Sequence, residues 1–183
     1  MSNVDIDALL QEMTLAEKIG QMTQAEKNSI SLDDVRRYAV GSILSGGGGN
    51  PAVNNPHNWA AMTRAFLEAA LETRLRIPAI YGADCVHGHN NMYGATVFPH
   101  NIGLGAANDE ALVEEIGYLT GREMIAVNVH WNFAPCLAVP QDARWGRTYE
   151  GYAGDVDIVS RLGAAYVRGL QRAGVAACIK HYV

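Results

Sequence analysis

Cysteine is scarce in this 183-residue chain, and the three present, Cys85, Cys136 and Cys178, form no C-x-x-C pair. An odd, scattered set argues against a disulfide framework and reads as buried free thiols acting as small apolar groups. Basic residues are few and do not cluster, and the net charge is -5. That leaves no footprint for a nucleic-acid partner, while a mildly acidic surface suits a neutral substrate. No run approaches the roughly 18 apolar residues that span a bilayer. The N-terminus, MSNVDIDALLQEM, lacks the basic start and long apolar stretch of a secretory leader. The expected location is the cytoplasm, or a secreted or periplasmic one if a leader has been removed. A G-x-G-x-x-G between the first strand and helix is also missing. GSILSGGGGNP does not supply it, because Pro51 and the asparagines after it do not open a helix there.

What the chain has is an ordinary globular composition, 49% hydrophobic and 18% charged, enough apolar mass for one core. Helical periodicity begins at Thr14, which forms a capping box with Glu17 ahead of Leu15, Ile19 and Met22 on one face. Further helices are predicted over Leu32–Tyr38, Trp59–Arg74, Asp109–Met124 and Asp155–Arg172. Four apolar runs alternate with them, from Gly41, Ile77–Tyr81, Val127–Val139 and Val175–Val183. Alternation of this kind implies an α/β fold with a parallel sheet and crossover helices. Polar residues gather where the runs end: Ser45, then Asp84 and His87, then Asp142 to Arg147, then Lys180 and His181. That placement favours a (β/α)8 barrel over an open doubly wound sheet, since barrel chemistry sits at the C-terminal strand ends. A complete barrel needs about 250 residues, so four strands make about the first half. An unclosed half-barrel leaves bare edges, and the expectation is a single truncated domain over 1–183.

The candidate functional residues follow from these positions. Asp84 can accept hydrogen bonds from sugar-like hydroxyls or cap a loop amide. Arg144 and Arg147 flank Trp145 and Gly146; they can hold an oxyanion, a carboxylate or a hydroxyl, or form a salt bridge with Glu150. Lys180 beside His181 at a strand end is costly to bury without a purpose, which favours a functional role. His87 and His89 form an H-x-H that could ligate a metal, with His181 as a third ligand. No acidic or thiol partners stand at metal-ligand spacing, so hydrogen-bonded loop histidines are the simpler reading, and Asn90, Asn91 and His100 fit the same loop. The glycines Gly46–Gly49 allow a tight loop.

Three segments in order, IPAIYGADCVHGHNNMYGATVFPHNIGLGA, NFAPCLAVPQDARWGRTYE and AACIKHYV, resemble glycoside hydrolase family 3, and the similarity runs from MTLAEKIGQM to the end. The resemblance implies that Asp84, Arg147, Lys180 and His181 contact the terminal non-reducing sugar, with Arg144 and Glu150 as supports. It implies no cofactor and no metal. GADCVHGHNN, and Val183 after Lys180, His181 and Tyr182 where the N-acetylglucosaminidase branch carries proline, are similar to the β-glucosidase and exo-β-glucanase branch. The implied activity is retaining, exo-acting hydrolysis of β-linked glucosides or glucan oligosaccharides. The nucleophilic Asp and acid/base Glu would lie beyond residue 183, leaving a fragment that is inactive alone. The alternative is a non-catalytic half-barrel that binds sugar or self-associates through its open edges.

Overall fold

The computed structural model describes residues 4–181. Five strands, β1 (Gln24–Glu26), β2 (Ser42–Ser45), β3 (Ile80–Ala83), β4 (Trp131–Asn132) and β5 (Ala176–Ala177), form one sheet. They lie in the order β1-β2-β3-β4-β5 and every pair is parallel. Strand order that simply follows chain order, with no reversal, is the arrangement of a barrel wall; a doubly wound sheet reverses at a switch point. The register runs Ile43↔Tyr81, Gly82↔Trp131 and Trp131↔Ala176. The chain makes about half of a (β/α)8 barrel. Among the described residues β1 pairs only with β2 and β5 only with β4, so both outer edges are open.

The crossover helices are α3 (Leu32–Tyr38), α4 (Pro56–Leu71), α6 (Glu110–Ala126) and α7 (Val156–Arg172). Their starts are set by side-chain caps that satisfy the orphan N–H groups of the first turn. Ser31 and Asp34 form a capping box, Asn55 caps α4 ahead of Pro56, and Asp109 and Asp155 cap α6 and α7. The core lies between these helices and the sheet, around Ile43, Trp59, Val113, Met124, Val129, Leu162, Tyr166 and Leu170. Glycines let α6 and α7 touch backbone to backbone: a methyl group at Gly169 would sit 2.1 Å from the Glu114 carbonyl oxygen. Among the described residues no helix is long and apolar enough to cross a membrane.

The structure departs from the sequence expectations in several places. Among the described residues there are five strands rather than four: β1 is a three-residue QAE segment with no apolar run to announce it. The run at Ile77–Tyr81 pairs only from Ile80, because Arg76 takes a left-handed turn (φ 52) and residues 77–79 lead in. Val127–Val139 contributes two ladder residues, and Val175–Val183 likewise two, with residues 182 and 183 outside the described chain. Between those two strands pairing continues in looser form, with Cys178 N–H donating to Ala134 O (3.0 Å) and Lys180 N–H to Pro135 O (3.1 Å). Two further helices, α1 (Ile6–Glu12) and α5 (Asn101–Ala107), are short. The stripe Leu15, Ile19 and Met22 on α2 (Leu15–Met22) points outward, with Met22 79% exposed. Beside it, a groove of about 620 Å³ runs between α2, α3 and β1, lined by Ile19, Ala25, Ile30 and Tyr38.

Candidate functional site

Each candidate side chain leaves the sheet at its C-terminal end. Asp84 is the residue after β3, and its Oδ1 accepts a hydrogen bond from Lys180 Nζ at 2.9 Å. Lys180 follows β5 by three residues, with its side chain 17% exposed against 41% for Asp84. The long stretch after β4 carries Arg147, which grips Glu150 with two parallel bonds, Nε to Oε1 at 2.7 Å and Nη2 to Oε2 at 2.6 Å. Arg147 Nη2 also lies 3.4 Å from His181 Nε2. Two linked sets, Asp84 with Lys180 and His181 with Arg147 and Glu150, thus meet at the neighbouring residues Lys180 and His181, drawn from three neighbouring strand ends.

Electrostatics tie these groups together. The hydrogen bonds from Arg147 hold the Glu150 carboxyl below the usual carboxylate range, and Lys180 and His181 add to this. Partial burial lowers His181, and the positive charges of Arg147 and Lys180 lower it further, against a smaller opposing pull from Glu150 and Asp84. A neutral imidazole can accept from Arg147 at Nε2, which places the ring proton on Nδ1. The cluster thus presents a carboxylate, an ammonium, a guanidinium and a neutral imidazole. Among the described residues Asp84 Oδ2 receives no hydrogen bond, and two of the three Lys180 ammonium protons are uncommitted. A set of acceptors and donors at one rim matches the alternating demands of vicinal hydroxyls.

Arg144 stands apart. Its guanidinium folds back onto Asp142, with Nη2 2.6 Å from Oδ2, and its side chain is 89% exposed. The turn closed by Trp145 N–H to Asp142 O keeps it there, and among the described residues it bonds to no member of either set. Ser45 is fully buried and used internally. Its hydroxyl meets Tyr81 Oη at 2.7 Å and donates to Gly49 O at 2.7 Å, closing the glycine loop in which Gly48 needs its positive φ of 82.

The histidine loop is built by stacking more than by hydrogen bonds. His87 packs edge-on against His100 (ring centres 4.0 Å apart), and His100 against Tyr149 (4.7 Å). His89 packs against Trp59 at 4.8 Å, and among the described residues neither of its ring nitrogens has a hydrogen-bond partner. The expected hydrogen-bonded role is thus replaced by an aromatic one, and burial pushes His89 down to about 4. His87 and His89 face different neighbours. Among the described residues no three His, Cys, Asp or Glu side chains converge as a metal site would require. Cys85 and Cys136 are buried free thiols, while Cys178 is half-buried.

One residue that the sequence patterns do not single out stands next to Asp84. Asn132 is fully buried in β4. Its Oδ1 accepts from Cys85 N–H at 3.0 Å and its Nδ2 donates to Cys85 O at 3.0 Å. An amide inside the apolar run VNVHWNFAP was the available signal, since a buried amide must find partners.

The family described as "Glycosyl hydrolase family 3 N terminal domain" matches residues 14–183. The lysosomal beta glucosidase of Dictyostelium discoideum is 35% identical over 91% of this chain and 22% of its own length. Among solved structures, the exo-1,3/1,4-beta-glucanase of a Pseudoalteromonas species superposes with a TM-score of 0.91 at 40% identity, over 97% of this chain and 24% of that one. The beta-glucosidase of Listeria innocua, solved with isofagomine, gives 0.81 at 30% identity, over 100% and 26%. The chain spans about a quarter or less of the length of the first relatives it matches. A parallel half-barrel, a polar rim assembled from three strand ends and a profile match over nearly all its residues agree: the chain belongs to glycosyl hydrolase family 3, within the N-terminal domain.

Proposed function

We propose that this chain is the sugar-gripping half of the barrel in a longer, retaining, exo-acting β-glucoside hydrolase. The observation that carries the reading is the polar cluster in which Asp84 holds Lys180 and Arg147 meets His181, with Lys180 and His181 adjacent in the chain. In this reading Asp84 accepts from hydroxyls of a terminal non-reducing glucose, Lys180 and Arg147 donate to them, and His181 completes the ring of contacts. Glu150 fixes the Arg147 fork through its two bonds. Such contacts accelerate bond cleavage only insofar as they tighten as the sugar flattens towards its oxocarbenium-like transition state.

The bond-breaking pair belongs to chain beyond residue 183. There an Asp attacks the anomeric carbon, a Glu protonates the departing oxygen, and water then releases the glycosyl group from the Asp. Retention requires the two carboxyls about 5 Å apart. No cofactor takes part. Asp84 and Glu150 are each committed to a cation, which suits binding and support rather than attack.

The test is hydrolysis of an aryl β-glucoside by the complete gene product, with the glycosyl-enzyme trapped by a 2-fluoroglucoside. Turnover of the aryl N-acetylglucosaminide in preference to the glucoside would overturn the choice of branch. A second reading, a self-associating half-barrel, draws on the open β1 edge and the apolar groove beside it. A discrete, stable dimer of this chain in solution would favour it.

A further inference from the structure

Asn132 occupies a position where the β-ladder should have ended. Backbone pairing between β3 and β4 stops at Ala83↔Asn132, with Phe133 N–H donating to Ala83 O at 3.0 Å as the last ladder bond. Beyond that point the two chains separate, β3 into the histidine loop and β4 into the proline-containing segment after Phe133. The Asn132 side chain then takes over the role of a neighbouring strand. Its amide presents an N–H and a C=O in the geometry of a peptide group and pairs with both backbone groups of Cys85 at 3.0 Å each, while Nδ2 also donates to Tyr166 Oη at 3.4 Å. Tyr166 Oη from α7 donates to the same Cys85 carbonyl at 3.1 Å. Asn132 is 0% exposed and Tyr166 2% exposed, so neither partner competes with bulk water.

Cys85 is the residue after Asp84. Fixing both of its backbone groups fixes the direction in which the chain leaves β3, and with it the origin of the Asp84 side chain. The Asp84 carboxylate must reach Lys180, whose backbone is held separately, through Pro135, to the segment that follows Asn132. Asn132 is therefore the point from which both ends of the Asp84–Lys180 contact are referenced.

We infer that Asn132 is a positioning residue for Asp84, acting through the backbone of Cys85 with Tyr166 as its second support. The inference rests on the proposed glucosidase reading for its kinetic consequence. Its structural consequence, the loss of the Asp84–Lys180 contact, is independent of substrate.

The experiment compares Asn132→Asp, Tyr166→Phe and Thr63→Val in the complete enzyme. Asn132→Asp keeps the acceptor and removes the donor. Tyr166→Phe removes only the phenol hydroxyl. Thr63→Val is a stability control: it deletes a buried hydroxyl on α4 that donates to Val127 O at 2.7 Å, away from the Asp84 rim. With an aryl β-glucoside, Asn132→Asp is expected to lower kcat/KM by about 10- to 100-fold, because small displacements of a binding group are amplified in the rate. Tyr166→Phe should give a smaller loss in the same direction, and Thr63→Val should lower the melting temperature with kcat/KM close to that of the parent. In a crystal structure of Asn132→Asp, or of Tyr166→Phe if the first does not fold, Asp84 and Lys180 should no longer be in direct contact. Folded variants of both that keep the contact and the parent kcat/KM would overturn the inference. A parent enzyme inactive on every β-glucoside would count against the glucosidase reading alone, and the crystallographic contact would still decide the role of Asn132.

Discussion

The carboxylate of Asp84 and the ammonium of Lys180 meet at 2.9 Å although 96 residues separate them in the chain. The pair joins the third strand of the sheet to the fifth, across β4, and it lies at the C-terminal strand ends, where (β/α)8 barrels carry their active sites. Lys180 is the more enclosed partner, so the contact is a partly buried one, and truncating either member strands the other.

Asp84→Ala in the complete enzyme is expected to lower kcat/KM on an aryl β-glucoside by at least about 100-fold, since a hydroxyl contact that strengthens in the transition state is lost. Lys180→Ala should do the same. The double variant should fall far short of the product of the two, because the single changes disable the same contact. Steady-state kinetics on the four proteins check this, and full multiplicativity would break the link.

Residues 1–183 alone are expected to show no turnover of an aryl β-glucoside, because both catalytic carboxyls are proposed to lie beyond them. Clear hydrolysis by the purified segment that vanishes in Asp84→Ala would refute that placement.

His89 makes stability depend on acid. It is fully buried, and burial lowers it from 6.5 to about 4. Above pH 6.5 the ring is neutral whether the chain is folded or unfolded, so it adds no slope. Between pH 6.5 and 4 the unfolded chain takes up a proton that the folded chain refuses, and stability falls by roughly 3 kcal/mol over that window. Urea unfolding of the parent and of His89→Phe at about pH 7.5 and about pH 4.5 measures the effect. The parent should lose more than the variant, and equal losses would remove His89 as the cause.

The outward stripe on α2 should make the isolated chain sticky. Leu15 is 75% exposed and Met22 79% exposed, next to an apolar groove at the open edge of the sheet. Contiguous apolar surface of this kind drives association. Sedimentation velocity should show a spread of associated species, shifted towards monomer by Leu15→Lys with Met22→Lys. A single sharp dimer peak unaffected by those changes would point to a specific pairing elsewhere.

Gly169→Ala should destabilise the fold by about 2 kcal/mol, through overpacking where α7 crosses α6. Its new methyl would lie 2.1 Å from the Glu114 carbonyl oxygen, a backbone atom that cannot rotate away. Thermal melts check it, and an unchanged melting temperature would mean that the helices can part freely.

Much of the candidate site was legible because charged and polar groups at the ends of apolar runs mark strand ends. Asp84, Arg147, Lys180 and His181 stand out as polar groups at the ends of apolar runs, and the structure does bring them together. Glu150 was legible as an arginine partner. Arg144, expected as a support beside Arg147, folds onto Asp142 two residues before it, the nearest carboxylate in its own turn. Asn132 showed only as an amide inside an apolar run; its partners, the Cys85 backbone and the Tyr166 hydroxyl, come from distant segments and leave no trace in the local pattern.

The amino-acid order alone settled the α/β alternation, the Thr14–Glu17 capping box and the family resemblance, because periodicity, capping and motif spacing are local properties of the chain. The tertiary structure alone decided that β1 exists, that α2 turns its apolar stripe outward, and that Asn132 holds Cys85. A three-residue polar strand is stable only beside a neighbour, a face is inner or outer only relative to a sheet, and a side-chain amide chooses its partners only once distant segments are side by side.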